Sequence, residues 1–80
     1  MKRVGKPVGK VTLLGTYDVD INQHIVYSLG VDESENYYSI EEHEYNIGSA
    51  YSIATDYYIL EDSEVTELSW KARVRANSEK

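Results

Sequence analysis

The sequence predicts a mainly β fold: a small antiparallel five-stranded meander, arranged as a sheet or a barrel. Apolar and polar residues alternate over most of residues 11–31 and again over residues 65–76, which is the period of a half-buried strand. Short polar clusters such as residues 32–36 separate the alternating segments, as turns do. Eighty residues suit one small domain with a thin core, which we place at residues 10–76.

The longest alternation contains apolar residues at most odd positions from Val11 to Val31. One strand of that length would be unusual, because strands in globular proteins are mostly about 3–10 residues long. We therefore predict a hairpin with strands at about 10–19 and 24–31, joined by a turn near residues 20–23.

The third strand is predicted at residues 37–45, after the polar turn. Residues 49–60 fit two periods, because both strand spacing and helical spacing place apolar residues on one side. The β-branched and aromatic content favours a strand. The alternative is an α+β fold of the order β-β-β-α-β, with a helix at about 49–60.

Residues 65–76 are predicted to form the fifth strand, with apolar side chains on one face and basic ones on the other. We expect its basic residues to neutralise an adjacent acidic strand through cross-strand pairs. These residues are Lys71, Arg73 and Arg75. Residues 1–9 are expected to form a flexible basic arm, and residues 77–80 a frayed tail.

Charge is segregated along the chain. Between Lys10 and Lys71 there are thirteen Asp and Glu residues and no Lys or Arg, and the whole chain has a net charge of −6. Ordinary domains interleave the two signs. Carboxylates two residues apart on one strand face lie about 6.5–7 Å apart and repel by roughly 2 kcal/mol at an effective dielectric of about 20. Compensation is therefore expected from outside the chain.

All eight tyrosines lie inside this acidic segment. The doublets at 37/38 and 57/58 cannot both point inward in extended strands, so at least two tyrosines are expected to be exposed among carboxylates. Tyrosine adds contact area at a low entropic cost, and it is enriched in recognition surfaces.

We therefore predict an acidic protein-binding module or inhibitor that docks on a basic, nucleic-acid-binding surface of another protein as a charge mimic of nucleic acid. Small acidic inhibitors of host defence from bacteriophages and mobile elements share this size, charge and β content. The predicted partner-binding residues are Asp18, Asp20, Glu33, Glu35, Tyr37, Glu41, Glu42, Glu44 and Tyr58. The alternative is a structural or assembly subunit that homo-oligomerises through acidic strands and basic termini.

Motifs for chemistry are incomplete in this sequence. Asp18, Asp20 and Asn22 match the first three ligands of a calcium loop, but the glycine and the final glutamate are missing. His43 lies among glutamates, but the second histidine of a zinc motif is absent, and we expect His43 to be solvated. With no cysteine and no G-x-S-x-G segment, we expect no catalytic residue, no metal and no cofactor.

The expected partners exclude nucleic acid and membranes. A sequence pI of about 4.7 opposes direct binding to polyanions. No segment approaches the roughly 18 apolar residues that span a bilayer. The lack of cysteine is compatible with a reducing compartment, so we expect a cytoplasmic protein, in the host cytosol if a phage encodes it.

Overall fold

The structure is a computed structural model that describes residues 1–78. Its elements in chain order are β1 (Lys2–Val4), β2 (Val11–Asp20), β3 (Ile25–Asp32), β4 (Tyr37–Ile47), β5 (Ala50–Ile59) and α1 (Asp62–Ser78). The strands form one antiparallel sheet in the order β1-β5-β4-β3-β2. The predicted mainly β class and the five-stranded antiparallel sheet are confirmed.

The prediction of a strand at residues 65–76 is wrong, because this segment belongs to α1. Its residues also follow a helical stripe: Val65, Leu68 and Ala72 are the less exposed positions at helical spacing. Glu64 caps the helix, since its Oε1 accepts a hydrogen bond from the backbone N–H of Glu61 at 3.0 Å. The basic residues therefore do not form a cross-strand ladder.

The remaining strand of the sheet comes from the amino terminus. Within the predicted arm at residues 1–9, Lys2–Val4 forms β1 and pairs with the end of β5. Residues 49–60 contain β5 rather than a helix. Of the predicted tail at 77–80, residues 77 and 78 belong to α1, and residues 79–80 lie outside the described residues.

Two β-bulges in β2 decide which side chains share a face. The register against β3 shifts between Leu13 and Gly15 and again between Thr16 and Asp18. A bulge places two residues opposite one, so the side chains of Tyr17 and Asp18 project to the same face. The alternation seen in the sequence is therefore not continuous along β2.

Helix α1 packs against β2 and, to a lesser extent, against β3. At Gly15 the helix lies within van der Waals distance, since a Cβ there would be 3.5 Å from the Cβ of Ala72, and the φ of 155° favours glycine at this position. Gly15 lies opposite Leu29, so we call the side of the sheet that contains Leu29 the helix-bearing face, and the other side the opposite face. The buried apolar residues are Ile25, Leu29, Tyr38, Ile40 and Leu68.

Asp32 organises the turn between β3 and β4. Its Oδ1 accepts the backbone N–H groups of Ser34 and Asn36, each at 2.9 Å. Its Oδ2 accepts the Tyr38 hydroxyl at 2.8 Å. The backbone hydrogen bond from Asn36 is the largest of the effects that hold the pKa of this carboxyl below its ordinary value.

Asp32→Asn is expected to lower the stability of the fold in a pH-dependent way. Because the folded-state pKa is depressed, the ionised carboxylate contributes stability above its unfolded-state pKa of about 3.9, and this contribution is lost as the pH falls through the folded-state pKa. In thermal unfolding, the difference between wild type and variant should therefore be full at neutral pH and should shrink on acidification. Glu33→Gln in the same turn is the control, and a difference independent of pH would contradict the assignment.

Candidate protein-binding surface

The charge segregation of the sequence persists in the folded chain. The amino-terminal ammonium pairs with Glu64 at 3.0 Å, Arg3 with Asp56 at 2.9 Å and Lys71 with Glu67 at 3.7 Å. None of these three carboxylates belongs to the predicted partner-binding set. Six members of that set make no ion pair within the described residues: Asp18, Asp20, Glu33, Glu35, Glu42 and Glu44.

The strand register divides the predicted acidic residues among three places. Asp18 and Glu41 both lie opposite Tyr27, and Asp20 lies opposite Ile25, so these three carboxylates share the helix-bearing face. The other acidic residues lie elsewhere: Glu42 and Glu44 on the opposite face, and Glu33 and Glu35 in or beside the turn between β3 and β4.

The acidic residues of the helix-bearing face surround a group of tyrosines. Tyr17 and Tyr27 are in ring contact, with centroids 6.0 Å apart and an interplanar angle of 48°. Tyr58 from β5 lies on the same face, opposite Ser39 of β4. We define the tyrosine–carboxylate patch by three phenols and three acids: Tyr17, Tyr27, Tyr58, Asp18, Asp20 and Glu41.

A partly buried hydrogen bond fixes one side of the patch. The Tyr17 hydroxyl lies 2.5 Å from the hydroxyl of Ser39, which is 0% exposed. The bulge in β2 makes this contact possible, because it directs Tyr17 across β3 toward β4. The ring of Tyr17 is thus held in place beside Asp18.

The phenols of Tyr17 and Tyr27 have raised pKa values and stay protonated at neutral pH. Desolvation raises the pKa of Tyr27, and the negative charges of Glu41, Asp20 and Asp18 raise it further. Desolvation likewise raises the pKa of Tyr17; the hydrogen bond to Ser39 opposes this shift, while Glu41 adds to it. Neutral rings beside carboxylates form a surface suited to guanidinium and ammonium groups, through ion pairs and cation–π contacts.

His43 lies at the border of the patch. Its Nε2 is buried, 3.3 Å from Glu41 Oε1 and 3.6 Å from Asp56 Oδ2, and makes no hydrogen bond. The expectation of a solvated histidine is therefore wrong for this atom. The sequence could not show the contact with Asp56, because it depends on the pairing of β4 with β5. Among the described residues, no group of three or more His, Asp or Glu side chains is placed to hold a metal ion.

None of the four tyrosines of the doublets at 37/38 and 57/58 is among the exposed ones. Tyr45 and Tyr51 are 44% and 61% exposed, which confirms that at least two tyrosines reach solvent. Tyr37 and Tyr58, both in the predicted partner-binding set, are half-buried at the start of β4 and near the end of β5. Tyr51 lies near Glu44 on the opposite face, where desolvation and then the carboxylate raise its pKa.

Comparisons of the chain with protein-family models, with curated proteins and with solved structures found no match. Over residues 1–78, no helix has both the length and the apolar character needed to cross a membrane.

The hydrogen bond between Tyr17 and Ser39 can be tested by a double-mutant cycle. Tyr17→Phe leaves the fully buried Ser39 hydroxyl without its partner, and we expect a loss of about 1–3 kcal/mol in the free energy of unfolding. The double variant Tyr17→Phe/Ser39→Ala should lose less free energy of unfolding than the sum of the losses of the two single variants. Urea denaturation gives the free energy of unfolding of the wild type, the two single variants and the double variant.

The control is Tyr45→Phe, which removes the hydroxyl of a tyrosine that is 44% exposed and should change the free energy of unfolding little. Additive single effects would show that the two hydroxyls do not interact.

Proposed function

We propose that this protein is an acidic protein-binding module that docks on a basic, nucleic-acid-binding surface of another protein through the tyrosine–carboxylate patch. One observation carries the proposal. The patch carboxylates Asp18 and Asp20 have no counter-ion in the described part of the chain, and they share one sheet face with Glu41 and neutral phenols.

The acids of the patch offer spaced negative charge. Asp18 and Asp20 are two residues apart on β2, about 6.5–7 Å, and Glu41 lies two strand spacings away on β4, about 10 Å from Asp18. The three carboxylates therefore form a two-dimensional array. A nucleic-acid-binding protein uses its Lys and Arg side chains to neutralise spaced phosphates. The same side chains can pair with this array.

The tyrosines add area that is already ordered. Tyr17 is held by Ser39 and by its ring contact with Tyr27, so little side-chain entropy is lost when a partner binds. Arg side chains that pair with the carboxylates can also stack on the phenol rings. The combination favours arginine-rich surfaces over scattered lysines.

Binding of this kind inhibits the partner, because the module and a nucleic acid compete for one basic surface. An inhibitor of the anti-defence type, encoded by a phage or a mobile element, fits this mode of action. Assembly through acidic strands and basic termini has less support, since the amino terminus, Arg3 and Lys71 make ion pairs within the chain.

The test is an affinity capture from cell lysate with three baits: the wild type and two variants that have equal net charge. Asp18→Asn/Glu41→Gln removes two charges from the patch, and Glu42→Gln/Glu44→Gln removes two from the opposite face. We expect the wild type and the second variant to capture nucleic-acid-binding proteins, and the first variant to bind them at least about tenfold more weakly, which corresponds to about 1.4 kcal/mol.

Capture by the wild type should also fall as salt rises above about 0.15 M and on addition of duplex DNA as a competitor. Equal capture by all three baits, or a complex that DNA does not displace, would contradict the proposal.

A further inference from the structure

A cleft lies between the carboxyl-terminal half of α1 and strand β2. Its volume is about 420 Å³, and sites for small molecules commonly have roughly 300–1,000 Å³. We call it the helix–β2 cleft. The lining residues that matter below are Leu14 and Leu29 from the sheet and Ser69, Ala72, Arg73 and Ala76 from the helix.

Small side chains on the helix open this cleft. At about 100° per residue, four residues of α1 lie on the face that is turned to the sheet: Val65, Leu68, Ala72 and Ala76. The first two are large, and Leu68 is buried. The two alanines fill less space, and Gly15 of β2 has no side chain to fill it from the other side. The interior of the cleft is consequently apolar.

Two hydrogen-bond donors without a partner line the cleft. Ser69 and Arg73 are four residues apart on α1, so that they are neighbours on the helix surface. The other hydroxyls of the described helix, those of Thr66 and Ser78, donate to Asp62 and Val74 carbonyls at 3.2 and 2.9 Å if residue 63 is set aside. Within residues 1–78, the Ser69 hydroxyl makes no hydrogen bond and Arg73 makes no ion pair.

Positive charge is concentrated beside the cleft. Lys71, Arg73 and Arg75 are the only basic residues of the segment 11–79, and the whole chain has a net charge of −6. Both arginines line the cleft, and no Asp or Glu is among its described lining residues. Charges act over a Debye length of about 8 Å at physiological salt. An anion is therefore attracted to this part of an otherwise acidic protein.

We propose that the helix–β2 cleft binds a small organic anion that consists of an apolar group and a carboxylate or phosphate. The apolar group lies between the alanines of the helix and Leu14 and Leu29 of the sheet, where it leaves water. The anionic group accepts hydrogen bonds from Arg73 and Ser69. A guanidinium can donate two parallel hydrogen bonds to either a carboxylate or a phosphate, so both head groups suit the same site.

The anion site is independent of the proposed function. None of the residues that line the cleft belongs to the tyrosine–carboxylate patch. The patch recognises cations, whereas the cleft recognises an anion. Variants of one site therefore leave the other site intact, and the failure of either proposal leaves the other standing.

The first experiment follows the backbone amides by two-dimensional NMR while a ligand is added. The probes are hexanoate and hexyl phosphate, with acetate and 1-hexanol as the separate head group and apolar group. We expect saturable shifts at Gly15, Ala72 and Ala76 with a Kd of about 1 mM or below for at least one of the two anions. Acetate and 1-hexanol should bind at least about tenfold more weakly. The anion that binds more tightly identifies the preferred head group.

Two matched variants test the role of the arginine. Arg73→Gln should weaken binding of the preferred anion at least about tenfold, because it removes the charge and the paired donors. Lys71→Gln removes the same charge from the same turn of α1, but Lys71 does not line the cleft. Its Kd should stay within about twofold of the wild-type value.

A third variant separates loss of the site from loss of the fold. Ala76→Leu fills the cleft with an apolar side chain, so it should abolish binding without lowering the thermal midpoint. Three results would overturn the proposal: no saturable shift with either anion, equal affinity for 1-hexanol and hexanoate, or equal affinity of Arg73→Gln and Lys71→Gln for the preferred anion.

Discussion

The balance between carboxylates and cations is the constraint on which the rest of this structure depends. Two ion pairs attach the amino-terminal segment to the rest of the fold. The amino terminus pairs with Glu64 at the start of the helix, and Arg3 joins β1 to β5 through Asp56. Lys71 pairs with Glu67 inside α1. Within the described residues, Asp18 and Asp20 on one face and Glu42 and Glu44 on the other have no ion-pair partner, so both faces of the sheet beyond the helix are acidic.

The two edges of the sheet have opposite characters. β2 is bulged and charged, and its bulge turns Tyr17 and Asp18 onto one face, where they meet the other members of the tyrosine–carboxylate patch. Residues 50–56 of β5, by contrast, contain no bulge, and their one charged residue, Asp56, pairs with Arg3.

The alternation of apolar and polar residues predicted the elements that depend only on residues close together in the sequence. The first hairpin and the strand after it were predictable from the sequence because each strand alternates between polar turns. At 65–76 the same reasoning failed, since Leu68 and Ala72 satisfy both periods and only packing against β2 and the Glu64 cap select the helix. The acidic residues of the site were predictable as a set from composition. Their grouping was not, because it depends on bulges and on pairing between distant segments.

We expect the carboxylates of β2 and β4 to repel one another in the free protein. Thermal unfolding at low ionic strength of the wild type and of Asp18→Asn/Glu42→Gln/Glu44→Gln tests it most directly. The account predicts a higher midpoint for the variant by several degrees, since about 1 kcal/mol corresponds to roughly 4–8 °C in a domain of this size. It also predicts that the gap closes near about 1 M salt. A variant less stable than the wild type at low salt would show that these carboxylates are compensated within the chain, and would contradict the account.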